Sequence, residues 1–463
     1  MTKVKAAGNY KIDMCTGPIL PKMLRFALPL MASSLLQLLF NAADIIVVGQ
    51  FCGDIYTAAV GSNGALINLL TNFFIGLSVG TNVLAARYFG ADNHKDLSET
   101  VHTSMLISVI SGVFLTIVGL FTAGELLKIM NTPENVLGLA TEYLEIYFLG
   151  VTATTIYNFG SALLRAIGDT KRPLYYLFIS GVLNVVLNLF FVIVFDLDVA
   201  GVAIATVISQ ITSAVLVVRC LMRETGGIKL VVKKLHIHRD KLLQIIKIGL
   251  PAGIQGTLFS LSNVVIQSSI NLFGDNVVSG NADAANIEGF VYVAMNAFYQ
   301  AVISFTSQNL GRRNFDRIKR SLLIGLACVT VTGVLLGLVL IFFGRELMGI
   351  YTSTEVVIEV GLERFAYVGS IYFLCGIMDC LVGGLRGIGY SFAPMVVSLM
   401  GACVLRLVWI ATVFNIPEYH VVETVYISYP ISWIVTAAVH AVCFIFLFRR
   451  VKRKYPPEVV PEH

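Results

Sequence analysis

Charged residues are scarce in this sequence. Asp, Glu, Lys and Arg make up 13% of the 463 residues, whereas 56% are hydrophobic. A soluble domain carries about 25% charged residues, so the composition excludes an ordinary soluble protein and favours one whose solvent is mostly lipid. The formal net charge of +5 does not indicate nucleic-acid binding, because the basic residues stand between apolar stretches and form no continuous patch.

The motifs of metal and enzyme chemistry are also missing. Eight cysteines are scattered singly, without CxxC or a His/Cys cluster, which argues against a disulfide framework or a zinc site. The sequence contains no Walker A, HExxH or GxSxG motif. HIHRD (236–240) is interpreted as part of a basic linker near anionic lipid. We therefore expect no enzyme, no metal and no cofactor, and any transport to be secondary.

Apolar runs long enough to cross a bilayer, about 20 helical residues each, are numerous. Together they predict an all-α integral membrane protein with about twelve transmembrane helices, the first of which is retained rather than cleaved as a signal peptide. The twelve candidates centre near residues 37, 70, 110, 150, 184, 211, 255, 295, 332, 371, 405 and 436.

The basic residues indicate the orientation of these helices, because Lys and Arg are retained on the cytoplasmic side. On alternate connections, 29 of the 33 fall on one side, including Lys3, Lys5 and Arg386. The other side keeps Lys128, Arg345 and Arg364, while Arg406 falls inside a span. This bias predicts a multi-pass inner-membrane protein with both termini cytoplasmic and an even number of spans.

An internal repeat divides the chain. LLRAIGDTKRP (163–173) returns as GLRGIGYSFAP (384–394), and ARYFGADN (86–93) meets SQNLGRRN (307–314) at the same offset of 221. The repeat predicts two pseudo-symmetric six-helix lobes, 1–222 and 242–450, with a cytoplasmic linker at 223–241 and a tail at 451–463. Because each lobe has an even number of spans, the lobes share one orientation, an arrangement typical of transporters that work by alternating access.

The first span carries a polar stripe. Ser34, Gln37, Asn41 and Asp44 lie on one helical face, which cannot face lipid. An ionised carboxylate inside a membrane needs a cation, a proton or a hydrogen-bond donor. The alternative is that Asp44 is a helix-end residue facing the outer headgroups.

Spans 5 and 6 provide further oxygen atoms. Asn184 and Asn188 share one face of span 5, and Thr206 lies in span 6. These side chains suit sodium, or a hydrogen-bonded site that changes protonation. Plain hydrogen bonding between helices is the alternative.

The sequence resembles the multidrug and toxic compound extrusion (MATE) transporters over nearly its whole length. The resemblance rests on FALPLMASSLLQLLFNAADIIVVG, LRAIGDTKRP, NVVLNLFFVI, GVAIATVISQ and GLPAGIQ. It implies cation coupling in the first lobe at Asp44, Asn184, Asn188 and Thr206, with Asn41 and Gln37 on the same stripe. Many relatives have NxxLD where this sequence reads NVVLN, so Asn188 replaces a carboxylate and the coupling ion, H⁺ or Na⁺, stays open.

The second lobe repeats the polar stripe without an acid. Ser260, Asn263, Gln267 and Asn271 follow one face of span 7. Asp379 in span 10 and Arg406 in span 11 are predicted to pair, because an unpaired guanidinium inside a membrane is costly.

One face of span 8 mixes an acid with aromatic and thioether groups that suit a greasy cation. Packing is the alternative for each of these residues taken alone. The candidates for a substrate cavity are Glu288, Tyr292, Met295, Tyr299, Phe40, Tyr157, Phe159 and Phe298.

These features favour an antiporter coupled to H⁺ or Na⁺ that exports amphipathic, cationic organic compounds. Its partners would be small molecules and the lipid bilayer, without nucleic acid, and we expect a monomer. Two alternatives are a flippase for a lipid-linked oligosaccharide, which would need a strongly basic cavity, and a membrane enzyme acting on lipids.

Overall fold

The computed structural model describes residues 10–455, apart from the side chain of Asp54. Lys3, Lys5 and the predicted tail beyond residue 455 lie outside the described residues. The first half of the chain forms six long helices, each of which contains one predicted centre. They are α1 (Ile19–Phe51), α2 (Asp54–Gly90), α3 (His94–Ile129), α4 (Glu134–Ala166), α5 (Lys171–Leu189), which a π-helix extends to Val194, and α6 (Asp198–Arg223).

The second half also forms six long helical segments, two of them interrupted. A 3₁₀ turn joins α11 to α12 into one segment over 355–387, and a π-helix joins α13 to α14 over 392–412. The helices are α7 (Arg239–Ile270), α8 (Asp275–Gly311), α9 (Phe315–Phe342), α10 (Gly344–Gly349), α11 (Glu355–Tyr367), α12 (Phe373–Gly387), α13 (Phe392–Ser398), α14 (Leu405–Thr412) and α15 (Val422–Lys454).

The prediction of an all-helical protein with about twelve spans is confirmed. Eleven of the described segments are long and apolar enough to cross a membrane. The twelfth, α8, has 37 residues but is more polar. Its polar side chains therefore need partners inside the protein.

Two compact units divide the chain, and the division runs through α1 and α7. Residues 32–249 with 10–13 form the first unit, and residues 14–31 with 250 onward form the second. Each dividing point lies next to a proline inside a helix, Pro29 in α1 and Pro251 in α7. Proline removes one backbone hydrogen bond from a helix and bends it. The predicted lobe boundaries, drawn at the linker, stay a prediction.

The repeat at an offset of 221 extends to the details of the backbone. Gly53 and Gly274 precede α2 and α8 with φ of 102° and 89°, a region that favours glycine. Asn93 and Asn314 cap α3 and α9 in the same way, since each side chain accepts the backbone N–H three residues later at 3.1 Å. Each unit therefore builds its helix ends from equivalent residues.

The segment between α6 and α7 is docked on α3. The backbone N–H of Val231 donates to His102 Nε2 at 3.0 Å, and that of His238 donates to Thr103 Oγ1 at 3.1 Å. Ile228 and Leu230 are buried in the same region. The predicted basic linker is thus packed against the first unit, and α7 begins directly after it at Arg239.

Candidate ion-coupling site and charged interior

Asp44 of α1 and Asn188 of α5 are in direct contact. Asn188 Nδ2 donates to Asp44 Oδ1 and also lies 3.4 Å from Asn184 Oδ1. Asn184 Nδ2 lies 3.3 Å from Thr206 Oγ1 of α6, which in turn donates to the backbone carbonyl of Val202 at 2.9 Å. Four side chains from three helices therefore form one continuous hydrogen-bonded chain.

This cluster is enclosed but not fully satisfied. Asn184 and Asn188 are 4% and 0% exposed, whereas Asp44 is half-buried. Asn188 Oδ1 is sealed from solvent and accepts no hydrogen bond from the residues that the structure describes. An enclosed amide oxygen beside a carboxylate is a fitting environment for a cation or an added proton.

Gly181 lets α1 and α5 come close enough for this contact. A Cβ atom at Gly181 would lie 1.8 Å from the ring of Phe40, which precedes Asp44 by about one turn of α1. On the α4 side, Tyr143 lies near both Asp44 and Thr206. The position of the carboxylate therefore depends on tight packing in the first unit.

Two predicted members of the site lie outside it. Gln37 and Asn41 are exposed, and none of the hydrogen bonds among residues 10–455 joins them to Asp44 or Asn188. They share the face of α1 with Asp44, but Asn188 of α5 reaches Asp44 and not these two residues. Helical spacing predicted the stripe but could not predict where along α1 the second helix would make contact.

In the second unit, Glu288 of α8 and Arg364 of α11 form an ion pair. Arg364 Nη2 lies 2.7 Å from Glu288 Oε2, and Arg364 Nε lies 3.2 Å from both carboxylate oxygens. Arg364 Nη1 also donates to Asn281 Oδ1 at 2.6 Å. Two expectations are corrected here: Arg364 is not a loop residue, and Glu288 is not a free acid for an organic cation, because its charge is already matched.

The predicted pairing of Asp379 with Arg406 is wrong. Arg406 Nε donates to Ser432 Oγ at 2.7 Å, and no carboxylate of the described residues lies within ion-pair distance of Arg406. Asp379 instead interacts with the hydroxyl of Tyr292, and the cation that acts on it electrostatically is Arg386. The two residues lie on α12 and α14, which turn them towards different neighbours.

Arg386 was assigned from sequence to a cytoplasmic connection, yet it is 5% exposed. Its Nη1 donates to the hydroxyl of Tyr299, and its Nη2 donates to Gln255 Oε1 at 2.8 Å. Tyr299 is thus tied to a buried arginine. The arginine falls in the last turn of α12, where the apolar run had already ended in the sequence.

Three of the eight predicted cavity residues are packing residues of their own unit. Phe159, Met295 and Phe298 are 0%, 1% and 2% exposed, which corrects their assignment to an open cavity. The sulfur of Met295 lies where side chains at Gly333 and Gly376 would otherwise stand. Helical spacing placed these side chains on an inward face, but neighbouring helices fill the space there.

Three other candidates keep a polar or accessible part. The Tyr157 hydroxyl donates to the carbonyl of Pro173 at 3.1 Å. Tyr292 is 38% exposed, and Phe40 is half-buried. Of the predicted cavity set, Tyr292 and Phe40 are the residues that a bound molecule could reach most readily.

The protein has two repeated helical units, and its membrane-length helices enclose ionisable groups. It is therefore a polytopic membrane protein whose interior contains charged groups that need partners. The family comparison identifies the class further. The MatE family model matches residues 29–190 and 251–412, one match in each repeat, and the chain belongs to this family.

Curated relatives cover most of the chain. The probable multidrug resistance protein YoeA of Bacillus subtilis is 26% identical over 423 residues, 89% of this chain and 90% of that protein. The probable multidrug resistance protein NorM of Thermotoga maritima is 24% identical, covering 86% of each. A solved structure of an outward-facing multidrug resistance MATE family transporter of the MOP superfamily matches with a TM-score of 0.88 at 22% identity, over 95% of this chain and 98% of that one. This last likeness shows the fold.

Proposed function

We propose that this protein is a secondary-active exporter of amphipathic organic compounds, driven by an inward flow of H⁺ or Na⁺ that is coupled at Asp44. The contact between Asp44 and Asn188 carries the proposal, since it places an ionisable group against an enclosed amide within membrane-spanning helices. Export of drugs is supported by the names of the relatives in the MatE family.

The coupling step follows from the charge on Asp44. While the carboxylate is ionised, it accepts the hydrogen bond from Asn188 Nδ2. A bound proton or sodium ion neutralises the carboxylate. The Asn188 amide then interacts better with Asp44 through its oxygen than through its N–H. We propose that the amide then turns over, which breaks its contact with Asn184 Oδ1 as well.

Changes in this cluster alter the packing of α1 against α5. Phe40 and Gly181 are in close contact on the same two helices, so a change in the distance between Asp44 and Asn188 has to be accommodated by the packing of α1 against α5. We propose that this adjustment favours one state of an alternating-access cycle. Both termini would be cytoplasmic in the inner membrane, as the distribution of Lys and Arg predicts.

The flippase alternative depends on a strongly basic interior. The second unit does bury three arginines, Arg364, Arg386 and Arg406. However, Glu288 neutralises Arg364, and Asp379 lies near Arg386. The remaining excess of one positive charge is small beside what a pyrophosphate-linked lipid would need, so we favour the exporter.

Efflux of a fluorescent organic cation from cells tests the proposal. Asp44→Asn removes the titratable charge at nearly constant volume and should abolish efflux at an unchanged level of protein in the membrane. Asn415→Asp, an exposed change in the turn after α14 at a residue whose side chain donates to the carbonyl of Ala411, is the matched control and should leave efflux unchanged. Normal efflux by the Asp44 variant would remove the coupling role.

A further inference from the structure

Arg406 is a buried guanidinium without an acid. It is 6% exposed, and among the described residues its side chain donates one hydrogen bond, from Nε to Ser432 Oγ at 2.7 Å. The side chains with the largest electrostatic effect on its guanidinium are those of Tyr429, Cys375, Cys403 and Tyr372. All four are neutral at pH 7. An arginine stays charged in proteins, and no acid among the described residues forms an ion pair with it.

The two Nη atoms of Arg406 remain open. Some polar atoms of the described residues, such as Arg386 Nε, have neither contact with solvent nor a hydrogen-bond partner. Neither Nη atom of Arg406 is among them. Since these atoms donate no hydrogen bond within the described chain, each must keep accessible surface. The guanidinium is held at Nε, and the donors on its other edge are left for a group that the described residues do not include.

Arg406 does not lie on the lipid side of its helix. Met400, Val404 and Val408 are 57%, 39% and 50% exposed and follow one face at a spacing of four residues. Arg406 falls on the opposite face of the helix. The buried residues Ala402 and Cys403 lie on that face as well. Arg406 therefore lies on the side of α14 that faces the rest of the second unit.

Aromatic rings complete the surroundings. The guanidinium carbon of Arg406 lies 4.2 Å from the ring centroid of Tyr429 and 5.5 Å from that of Trp433. Tyr372 and Tyr429 both contact Trp433, with centroids at 5.2 and 5.8 Å. The rings fix the guanidinium plane, and the half-buried Tyr372 and Tyr429 keep some apolar surface next to it, whereas Trp433 is 3% exposed.

Arg364 shows what a satisfied arginine looks like in the same region. It also lies over Tyr429, at 5.6 Å, but Glu288 and Asn281 occupy its donors. Arg406 has the same aromatic neighbour and no carboxylate. The partner that Arg406 lacks is therefore an anion that the described residues do not supply.

We propose that Arg406, Ser432, Tyr429 and Trp433 form a binding site for the carboxylate of an aromatic amphiphile. The two Nη atoms match the two oxygens of a carboxylate, and the attached ring would lie against the accessible parts of Tyr372 and Tyr429. The inference rests on the proposed export function only in taking the occupant for a transported compound.

Quenching of Trp433 fluorescence tests the site directly. The sequence has two tryptophans, so Trp409→Phe leaves Trp433 as a single reporter 5.5 Å from Arg406. The full chain in nanodiscs of phosphatidylcholine is titrated with 4-nitrobenzoate and with 4-nitrobenzamide, a neutral ligand of the same shape. We expect the acid to bind about tenfold or more tightly than the amide. Equal affinities would overturn the proposal, whatever any variant does.

Substitutions then assign the preference to Arg406. Arg406→Gln should abolish the discrimination between acid and amide, while binding of the amide reports that the protein is folded. Arg345→Gln, at an exposed pair with Glu355, should keep it. If Arg406→Gln is unstable, Arg406→Lys, which keeps the charge but loses the planar fork, should lower the preference. An unchanged preference in either Arg406 variant contradicts the assignment.

A lipid headgroup has the same anionic chemistry, and nanodisc composition separates the two sources. If the site takes free carboxylates, phosphatidylglycerol in the disc leaves the affinity for 4-nitrobenzoate unchanged. A several-fold loss of affinity would identify the anionic lipid as the occupant and overturn the assignment to a soluble amphiphile. Neither result depends on Asp44, so failure of ion coupling is distinguishable from failure of this site.

Discussion

Glu288 and Arg364 are joined at three points in the second unit, with Arg364 Nε and Nη2 between 2.7 and 3.2 Å from the two carboxylate oxygens. Their side chains are 2% and 8% exposed. A pair this deeply enclosed makes each partner dependent on the other, because either charge alone would be stranded away from water.

Removal of one partner should therefore cost more than removal of both. We expect Glu288→Gln to lower the free energy of unfolding by about 3–5 kcal/mol, and Glu288→Gln with Arg364→Gln to recover part of that loss. Thermal unfolding in detergent measures both. Arg345→Gln, at the exposed pair with Glu355, serves as the control and should change stability by less than about 1 kcal/mol. Additive losses in the double variant would contradict the pairing.

Asn188→Asp should strengthen cation binding in the first unit. The new carboxylate would stand against Asp44 in place of the N–H donor, and two adjacent acids must share a proton or hold a cation. Sodium should then raise the unfolding temperature of the variant more than that of the wild type, since a ligand stabilises the state that binds it. Asn415→Asp is the control for added surface charge. A sodium response no larger than that of the wild type would count against a cation site here.

Gly181→Ala should disturb the contact between α1 and α5. The new methyl group would meet the ring of Phe40 at 1.8 Å, and overpacking costs about 1–3 kcal/mol. Because Phe40 lies near Asp44, we expect the rate of coupled transport to fall as well. Gly138→Ala in α4 has open space around the new atom and should be neutral or stabilising by up to about 1 kcal/mol. Identical behaviour of the two variants would show that the Gly181 contact is unimportant.

Glu224, just after α6, gives a pH dependence. Burial opposes its charge, but hydrogen bonds from Lys11 at 2.7 Å and Arg172 at 2.6 Å hold its pKa below the ordinary range. A lowered pKa gives stability that is present above about pH 4.3, the ordinary value, and is lost as the pH falls through the folded-state pKa. The stability difference between wild type and Glu224→Gln should be largest at neutral pH and shrink below about pH 4.

Unfolding midpoints of both proteins, measured from about pH 3 to about pH 8, give this difference. Glu125→Gln, at an exposed pair with Lys128, is the control and should show almost no difference at any pH. A gap between wild type and Glu224→Gln that stays constant down to the acid end would exclude the ion cluster as its cause.

The sequence predicted the fold better than the charged interior. Helix number, the offset of 221 and the Asp44 stripe depend on local periodicity and self-similarity, which a single sequence displays. The pairing of Glu288 with Arg364 depends on which helices are neighbours, 76 residues apart. Arg364 follows an interrupted, charge-containing stretch, so counting of basic residues placed it in a loop. The same limit explains why Arg406 was given an acid that the structure does not bring to it.

Uphill transport in proteoliposomes under a single imposed gradient tests ion coupling at Asp44 most directly. An inward-directed gradient of either protons or sodium should drive wild-type protein to move an organic cation against its own gradient, and Asp44→Asn should lose this while it still exchanges labelled for unlabelled substrate at equilibrium. Uphill transport by Asp44→Asn at the wild-type rate, under the same gradient, would contradict the account.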